Sequence, residues 1–425
     1  MTARADSDRA ESRHADAGDA SAAAPLTLLC PGALSAAGLP ASTSIAAHWP
    51  AAWRHADLVA RLDDDSLVAH ELPHERWLRE CLRMPADDAI EAASAALDGL
   101  APPVIRLTPV HLHTGRDHLV LTDPEQLALS IDDARALADA VRPLLDEQGL
   151  TLTVATPLRW YLGGPAERLP RTQDAGSRQA IGRSVDAYLS RDAATRPWRR
   201  LLNEIQMTWF EHPVNEARAQ RGAPAVNSVW VEGRLTATPA RRHDLLLAGN
   251  APAIRGLARL CAIAPDEPGP AGIGRWLARR RGAGPGLAAH RDSGHDSGHD
   301  PGRDPVGDPV GDPVRQTSAG DAGDAGGVPA RAVLVADLWP DVDPLADPAR
   351  FDAGWRGFAP WLRELGCADG PPEGLDRLDV VLFGDRRQVT LRIGRRQRWK
   401  FWRTVRPDDW LERAPPVRVP EPGDA

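Results

Sequence analysis

From Asp292 to Val314 the chain reads DSGH, DSGH, DPGR, DPVG, DPVG, DPV. Pro or Gly recurs in each unit and Val is its only apolar type, so the run offers no face that can be packed. The fold must therefore be assembled from what flanks it. The wider stretch 265–330, dominated by Pro and Gly, reads as a low-complexity flexible insertion. His295 and His299, with Asp292, Asp296 and Asp300, suggest a weak metal site, but an unfolded chain carries the whole ordering cost on binding, and the linker reading is preferred.

The remaining organisation follows from composition. Residues 1–24, small and polar, read as a disordered tail. Residues 25–264 form the main α/β domain, 331–415 a C-terminal α/β portion open to sharing its sheet, and 416–425 a second tail. A hydrophobic content of 42% over 425 residues supplies a sizeable core. A net charge of -8 with a pI near 5.9 argues against a general nucleic-acid coat or an anionic-membrane binder. Cys30, Cys81, Cys261 and Cys367 lie far apart without a C-x-x-C pair, so reduced, mostly buried thiols are expected. No signal-peptide core and no run of about 18 apolar residues is present, which predicts a cytoplasmic protein without a membrane span.

Apolar patterning predicts short strands at 26–30, 104–107, 110–113, 118–121, 150–155, 159–162 and 332–336, and a hairpin over 380–383 and 389–393. Helices are expected at 87–97, 130–147, 178–189, 198–211 and 355–365, with a short one carrying Trp399 and Trp402. Ser130 with Asp133 has the spacing of a capping box, and Gly149 suits the C-terminal cap. In the helix over 198–211, Leu201, Leu202, Ile205, Trp209 and, less centrally, Phe210 build an apolar stripe. Strand, helix, strand implies an α/β fold, a layered sheet with flanking helices.

The most distinctive stretch is WRRLLNEIQMTWFEHPVNEARAQRGAPAVNSVWVEG, residues 198–233. With PVHLHTGRDHLVLTDP at 109–124, LRWYLGG at 158–164 and WKFWR at 399–403, it resembles the RpfE-type bacterial regulatory family. The likeness covers most of 25–262 and 331–406. It implies a regulatory or interaction protein concerned with pathogenicity factors, without catalysis. The core running from His212 through Asn215, Arg218, Gly222 and Pro224 to Asn227 is also similar to archaeal-type cofactor-independent phosphoglycerate mutases of the alkaline-phosphatase superfamily. That similarity implies a reduced alkaline-phosphatase-like fold and, as the alternative function, a divergent phosphotransferase with Mn or Mg; otherwise no cofactor is expected. In those enzymes the first strand leads into a metal-binding Asp-Gly; here 26–30 leads into Pro31-Gly32.

Three constellations carry candidate chemistry. Pro213 should break one helix and start another, leaving His212, Asn215, Arg218 and Asn227 either to converge on an anion or to cap helix ends and tie the loop to the core. His111, His113 and His118 form H-x-H-x4-H; alternation puts the first two on one face, yet no acidic fourth ligand is compelled and no metal is expected. Arg116 and Asp117 beside Gly115 read as a hairpin-closing ion pair or as lining for a site at strand ends. Arg395, Arg396 and Arg398 with Trp399 and Trp402 offer a third reading, nucleic-acid binding by stacking, against a solvated face over a packed helix. The partner expected is an unknown protein or a small anionic ligand, with nucleic acid disfavoured. No P-loop, G-x-S-x-G or strand-coupled G-x-G-x-x-G is present.

Overall fold

The computed structural model describes residues 25–34, 48–63, 71–115, 118–170, 176–189, 192–282, 328–339, 348–384 and 386–396. Among the described residues twelve strands run in chain order: β1 (Leu26–Cys30), β2 (Asp57–Asp63), β3 (Val104–Val110), β4 (Leu112–Thr114), β5 (Leu119–Leu121), β6 (Thr151–Thr156), β7 (Arg159–Gly163), β8 (Ser228–Leu235), β9 (Leu245–Ala248), β10 (Arg331–Val335), β11 (Arg377–Phe383) and β12 (Arg387–Gly394). The α-helices are α1 (Pro73–Cys81), α2 (Ile131–Glu147), α3 (Ser177–Ala180), α4 (Arg196–Phe210), α5 (Pro213–Gln220), α6 (Pro252–Leu260), α7 (Gly269–Gly282) and α8 (Pro348–Glu364). Ile90–Asp98 forms a long 3₁₀ segment. No helix among the described residues is long and apolar enough to cross a membrane.

The strands make two principal sheets. One is six-stranded, in the order β2-β12-β11-β1-β10-β9, with β9, β10, β1 and β11 parallel. Every residue of β1 is buried, as a parallel strand covered on both faces requires. The C-terminal portion thus shares the sheet of the main domain, because β10 and β11 flank β1 on either side. The other sheet is antiparallel, β6-β7-β3-β8, and β4 pairs with β5 in a hairpin.

Alternation along the strands sorts the core into layers. In β10, Ala332 and Leu334 point into a Trp-rich cluster with α7 and α8, while Val333 and Val335 point the other way, toward α1, the 3₁₀ segment and α6. That middle layer also receives Val104, Tyr161 and Leu235 from the four-stranded sheet. On the far face of that sheet, Ile105, Trp160, Leu162 and Val229 meet α2 and α4. The middle layer is tight: a Cβ on Gly256 of α6 would lie 2.0 Å from the Ala93 carbonyl oxygen.

Several expectations need correction. The stretch 178–189 is not one helix: α3 stops after one turn, Gly182 takes a φ of +72°, and a 3₁₀ turn follows at Val185–Ala187. Within the stretch 87–97 the residues from Ile90 onward form the 3₁₀ segment, not an α-helix. Low complexity does not begin at 265, since Ile273, Trp276 and Leu277 recur at helical spacing and bury α7 in the core. Phe210 lies off the α4 stripe and is 78% exposed. Ser130 caps α2 by accepting the Asp133 N–H at 3.0 Å, but the Asp133 carboxylate turns to Arg221 at 3.3 Å. Residues 283–327, with the tetrapeptide run, lie outside the described residues.

Candidate functional site

In open α/β sheets the carboxyl ends of parallel strands are where ligands bind, because loops and helix starts gather there over a rigid base. Here that edge collects titratable side chains from five segments. Phe383, the last residue of β11, meets the ring of His74 edge-on at 6.0 Å between centroids. Asp337 follows β10 and accepts the N–H groups of Asn250 and Ala251 at 2.8 and 3.0 Å, which ties the β10 end to the start of α6. Between those two strands lies the end of β1, Cys30-Pro31-Gly32.

The sequence places these groups by ordinary means. Pro73 opens α1 at its first turn, where a missing N–H costs nothing, and Glu75 reaches back to accept the Leu72 N–H at 3.0 Å. His74 therefore points off the first turn onto the sheet. Glu91 lies at the start of the 3₁₀ segment, which is anchored from behind: Arg159 forks onto Asp98 at 2.9 and 3.0 Å, and the Tyr161 hydroxyl donates to the same carboxylate at 2.7 Å. Arg106 of β3 donates to Glu91 Oε2 at 2.7 Å, and Arg178 of α3 lies 3.9 Å from Oε1. The one-turn helix α3 is itself pinned by Glu232 of β8, which accepts the Ser177 hydroxyl at 2.5 Å and its N–H at 2.9 Å.

The electrostatics follow from this packing. Burial, reinforced by Arg178, pushes the His74 imidazole down to about 3, so it is neutral across the physiological range. Burial and then the neighbouring Glu91 push the half-buried Glu75 up to about 8. Burial opposes ionisation of Glu91 too, but Arg178 and Arg106 outweigh it and hold its carboxyl below the usual range. Asp337 keeps exposed surface yet sits deep within surrounding protein, which raises it despite its two amide donors. Arg106 Nε is buried without a hydrogen-bond partner. The edge thus presents two guanidiniums around one ionised carboxylate, a neutral imidazole and a carboxyl that holds its proton near neutral pH. Such an arrangement suits an anionic ligand and the donation of a hydrogen bond or proton to it.

The residues singled out from sequence lie elsewhere. His212 caps α5, its Nδ1 accepting the Val214 N–H at 3.2 Å. Asn215 donates to the carbonyls of Trp209 and Val226 and accepts the Val226 N–H, all at 2.8 Å. Arg218, 1% exposed, donates to the Pro224 and Leu127 carbonyls at 2.7 and 2.6 Å. Asn227 pairs its amide with both main-chain groups of Leu112 at 2.8 Å. The turn therefore brings the four near one another and joins them to main chain. His111 and His113 stack at 6.2 Å; His111 Nδ1 pairs with the Ala225 carbonyl at 2.8 Å, and His113 Nδ1 lies 3.3 Å from Thr122 Oγ1. The His118 carbonyl accepts the Gly115 N–H at 2.8 Å and closes the β4–β5 turn. Arg395 donates to the Leu375 carbonyl at 2.7 Å, and Arg396 is exposed. Arg116, Asp117, Arg398, Trp399 and Trp402 lie outside the described residues.

Sequence reasoning missed His74, Glu75, Glu91, Arg106, Arg178 and Asp337. One signal was available: Asp337 directly follows an apolar run, 332–336, at the carboxyl end of an expected strand. Among the described residues no group of three His, Cys, Asp or Glu is placed to hold a metal ion. The side chains described at this edge thus do not fit a two-cation centre.

No family model and no curated protein matches the chain. Among solved structures it is similar to the cofactor-independent phosphoglycerate mutase from Thermoplasma acidophilum DSM 1728, at 13% identity and a TM-score of 0.39 over 91% of this chain and 94% of that one. It is also similar to a protein from Pyrococcus horikoshii, at 9% identity and a TM-score of 0.44 over 92% of each. At these scores the overlap is one of outline, without residue-level correspondence. The RpfE-type resemblance has no counterpart among them.

Proposed function

We propose that the C-terminal edge of the six-stranded sheet is a binding site for a small phosphorylated or carboxylated ligand. Its specific form is the handling of a phosphate ester, as in a divergent phosphoglycerate-mutase-like protein. The observation that carries the reading is the convergence of His74, Glu75, Glu91, Arg106, Arg178 and Asp337 over the ends of β10 and β11. Arg178, with 39% of its side chain exposed, presents the guanidinium that grips the anion. Arg106 fixes Glu91, and Glu91 in turn orients Arg178. His74 supplies a neutral imidazole, and Glu75 a proton donor. No step is routed through a metal.

A second reading, binding without turnover in a regulatory role, is favoured by one observation: β1 runs into Pro31-Gly32, which offers no carboxylate at its carboxyl end. Both readings predict that 3-phosphoglycerate stabilises the protein, by about 2.7 kcal/mol at a hundredfold excess over Kd. They separate in a turnover assay with added Mn²⁺ or Mg²⁺. Interconversion of 2- and 3-phosphoglycerate supports the transferase, and stabilisation without turnover supports the regulator. If neither sulfate, phosphate nor 3-phosphoglycerate shifts the unfolding transition, the anion site is wrong.

A further inference from the structure

We infer that Glu232, displayed by a one-residue bulge in β8, is the positioning residue for Arg178, so that the grip on the anion is set from the four-stranded sheet. The inference rests on the anion-site reading above. β3 and β8 pair from Val110 opposite Ser228 to Leu107 opposite Val231, and again from Arg106 opposite Gly233 to Val104 opposite Leu235. Glu232 is thus the extra residue, with no counterpart on β3. Such a bulge bends its strand and re-aims a side chain, a device frequent beside binding sites. The sequence builds it with glycine: Gly233 takes a φ of +147°, and a Cβ there would lie 2.2 Å from the Ala89 Cβ.

Both arms of the site are seated on this irregularity. On one side Glu232, itself buried, gives one carboxylate oxygen to the Ser177 hydroxyl and the other to the Ser177 N–H, at 2.5 and 2.9 Å, and the next residue is Arg178. On the other side the Arg234 carbonyl accepts the Ala89 N–H at 2.8 Å, and Glu91 follows two residues on. Arg106, opposite Gly233, donates to that same Glu91 at 2.7 Å. The 3.9 Å between Arg178 and Glu91 is therefore set by where the bulge holds Ser177 and Ala89. α3 cannot set it alone, because its four residues make one turn, and so short a helix is marginal without outside contacts. Its far end is tied to β5 by the Gly182 N–H on the Leu121 carbonyl at 2.9 Å, so the Glu232 clamp governs the end that carries Arg178.

The test measures sulfate affinity of the full chain at pH 7 by titration calorimetry, with urea unfolding in parallel. Glu232→Gln keeps the shape but brings one acceptor oxygen, so one of the two Ser177 donors loses its partner. Loss of positioning should weaken sulfate binding roughly fivefold. The sign separates the roles. Removing a negative charge from the neighbourhood of an anion would by itself tighten binding, and a merely structural clamp would lower stability while leaving the affinity of the folded protein unchanged. Ser177→Ala removes the hydroxyl contact without changing charge, and should weaken binding by a smaller factor; it decides the matter if Glu232→Gln does not fold. Affinity that is unchanged or higher in the folded variants overturns the positioning role while leaving the anion site standing. No sulfate binding by wild type removes both.

Discussion

The turn at 212–227 and the edge of the six-stranded sheet are both rich in His, Asn, Arg and carboxylates, yet they use them in opposite ways. In the turn, Asn215 satisfies three main-chain groups and Arg218 two, so polar chemistry serves to fix backbone. A ligand there would have to displace bonds that hold α5 to the loop leading into β8. At the sheet edge, side chains face one another instead, and two of them are driven far from their ordinary protonation. Shifts of that size arise where burial and charge are set against each other, which is the profile of a site. Polar density in sequence is thus a poor guide to chemistry. What separates the two regions is whether the partners are main chain or other ionisable groups.

The largest effect expected from this contrast is on the turn. Asn215→Ala leaves the Val226 N–H without its acceptor and takes the side-chain donor from the carbonyls of Trp209 and Val226, and should lower stability by about 3 kcal/mol. Urea unfolding checks this, and the folded fraction should bind sulfate with unchanged affinity. A loss of sulfate affinity without a loss of stability would erase the distinction. A smaller effect is expected for Glu75→Gln on stability, and its sign depends on pH. The Glu75 carboxyl titrates near 8 when folded, against about 4.3 in an unfolded chain, so the folded state holds its proton more tightly. Its contribution to stability is complete below about pH 4.3 and is lost as pH rises through 8. The variant should match wild type near pH 4 and exceed it at pH 8 to 9, by about 1 kcal/mol once solvent screening of this half-buried group is counted. Thermal melts at the two pH values read the difference. His74 acts in the opposite sense, since its folded value near 3 lies below about 6.5, and its contribution is lost as pH falls below 6.5.

How much of this was readable beforehand differs between fold and site. The buried strands β1 and β10 announce themselves as unbroken apolar runs, and the cap at Ser130 and the break at Pro213 follow from local chemistry. Such features depend on neighbours within a few positions. The expected helix over 178–189 fails because Gly182 takes a left-handed conformation that periodicity does not register. The onset of low complexity is set too early because Pro and Gly around 265–274 hide the buried stripe of Ile273, Trp276 and Leu277. The site is less legible still. His74, Glu91, Arg178 and Asp337 span more than half the chain, and each looks unremarkable in its own segment. Only the sheet order, which sets β11 and β10 on either side of β1, brings them together. Glu75 reads from sequence as a first-turn acid, and nothing local says that Glu91 will stand beside it.

The central claim is that Arg178, and not the turn, receives the anion. Sulfate binding at pH 7, measured by calorimetry on wild type, Arg178→Ala and His212→Asn, tests it most directly; Asn preserves the helix cap. Affinity should drop at least about tenfold in Arg178→Ala, as loss of a charge-assisted contact requires, and stay at the wild-type value in His212→Asn. Binding that survives in Arg178→Ala and fails in His212→Asn would contradict the account.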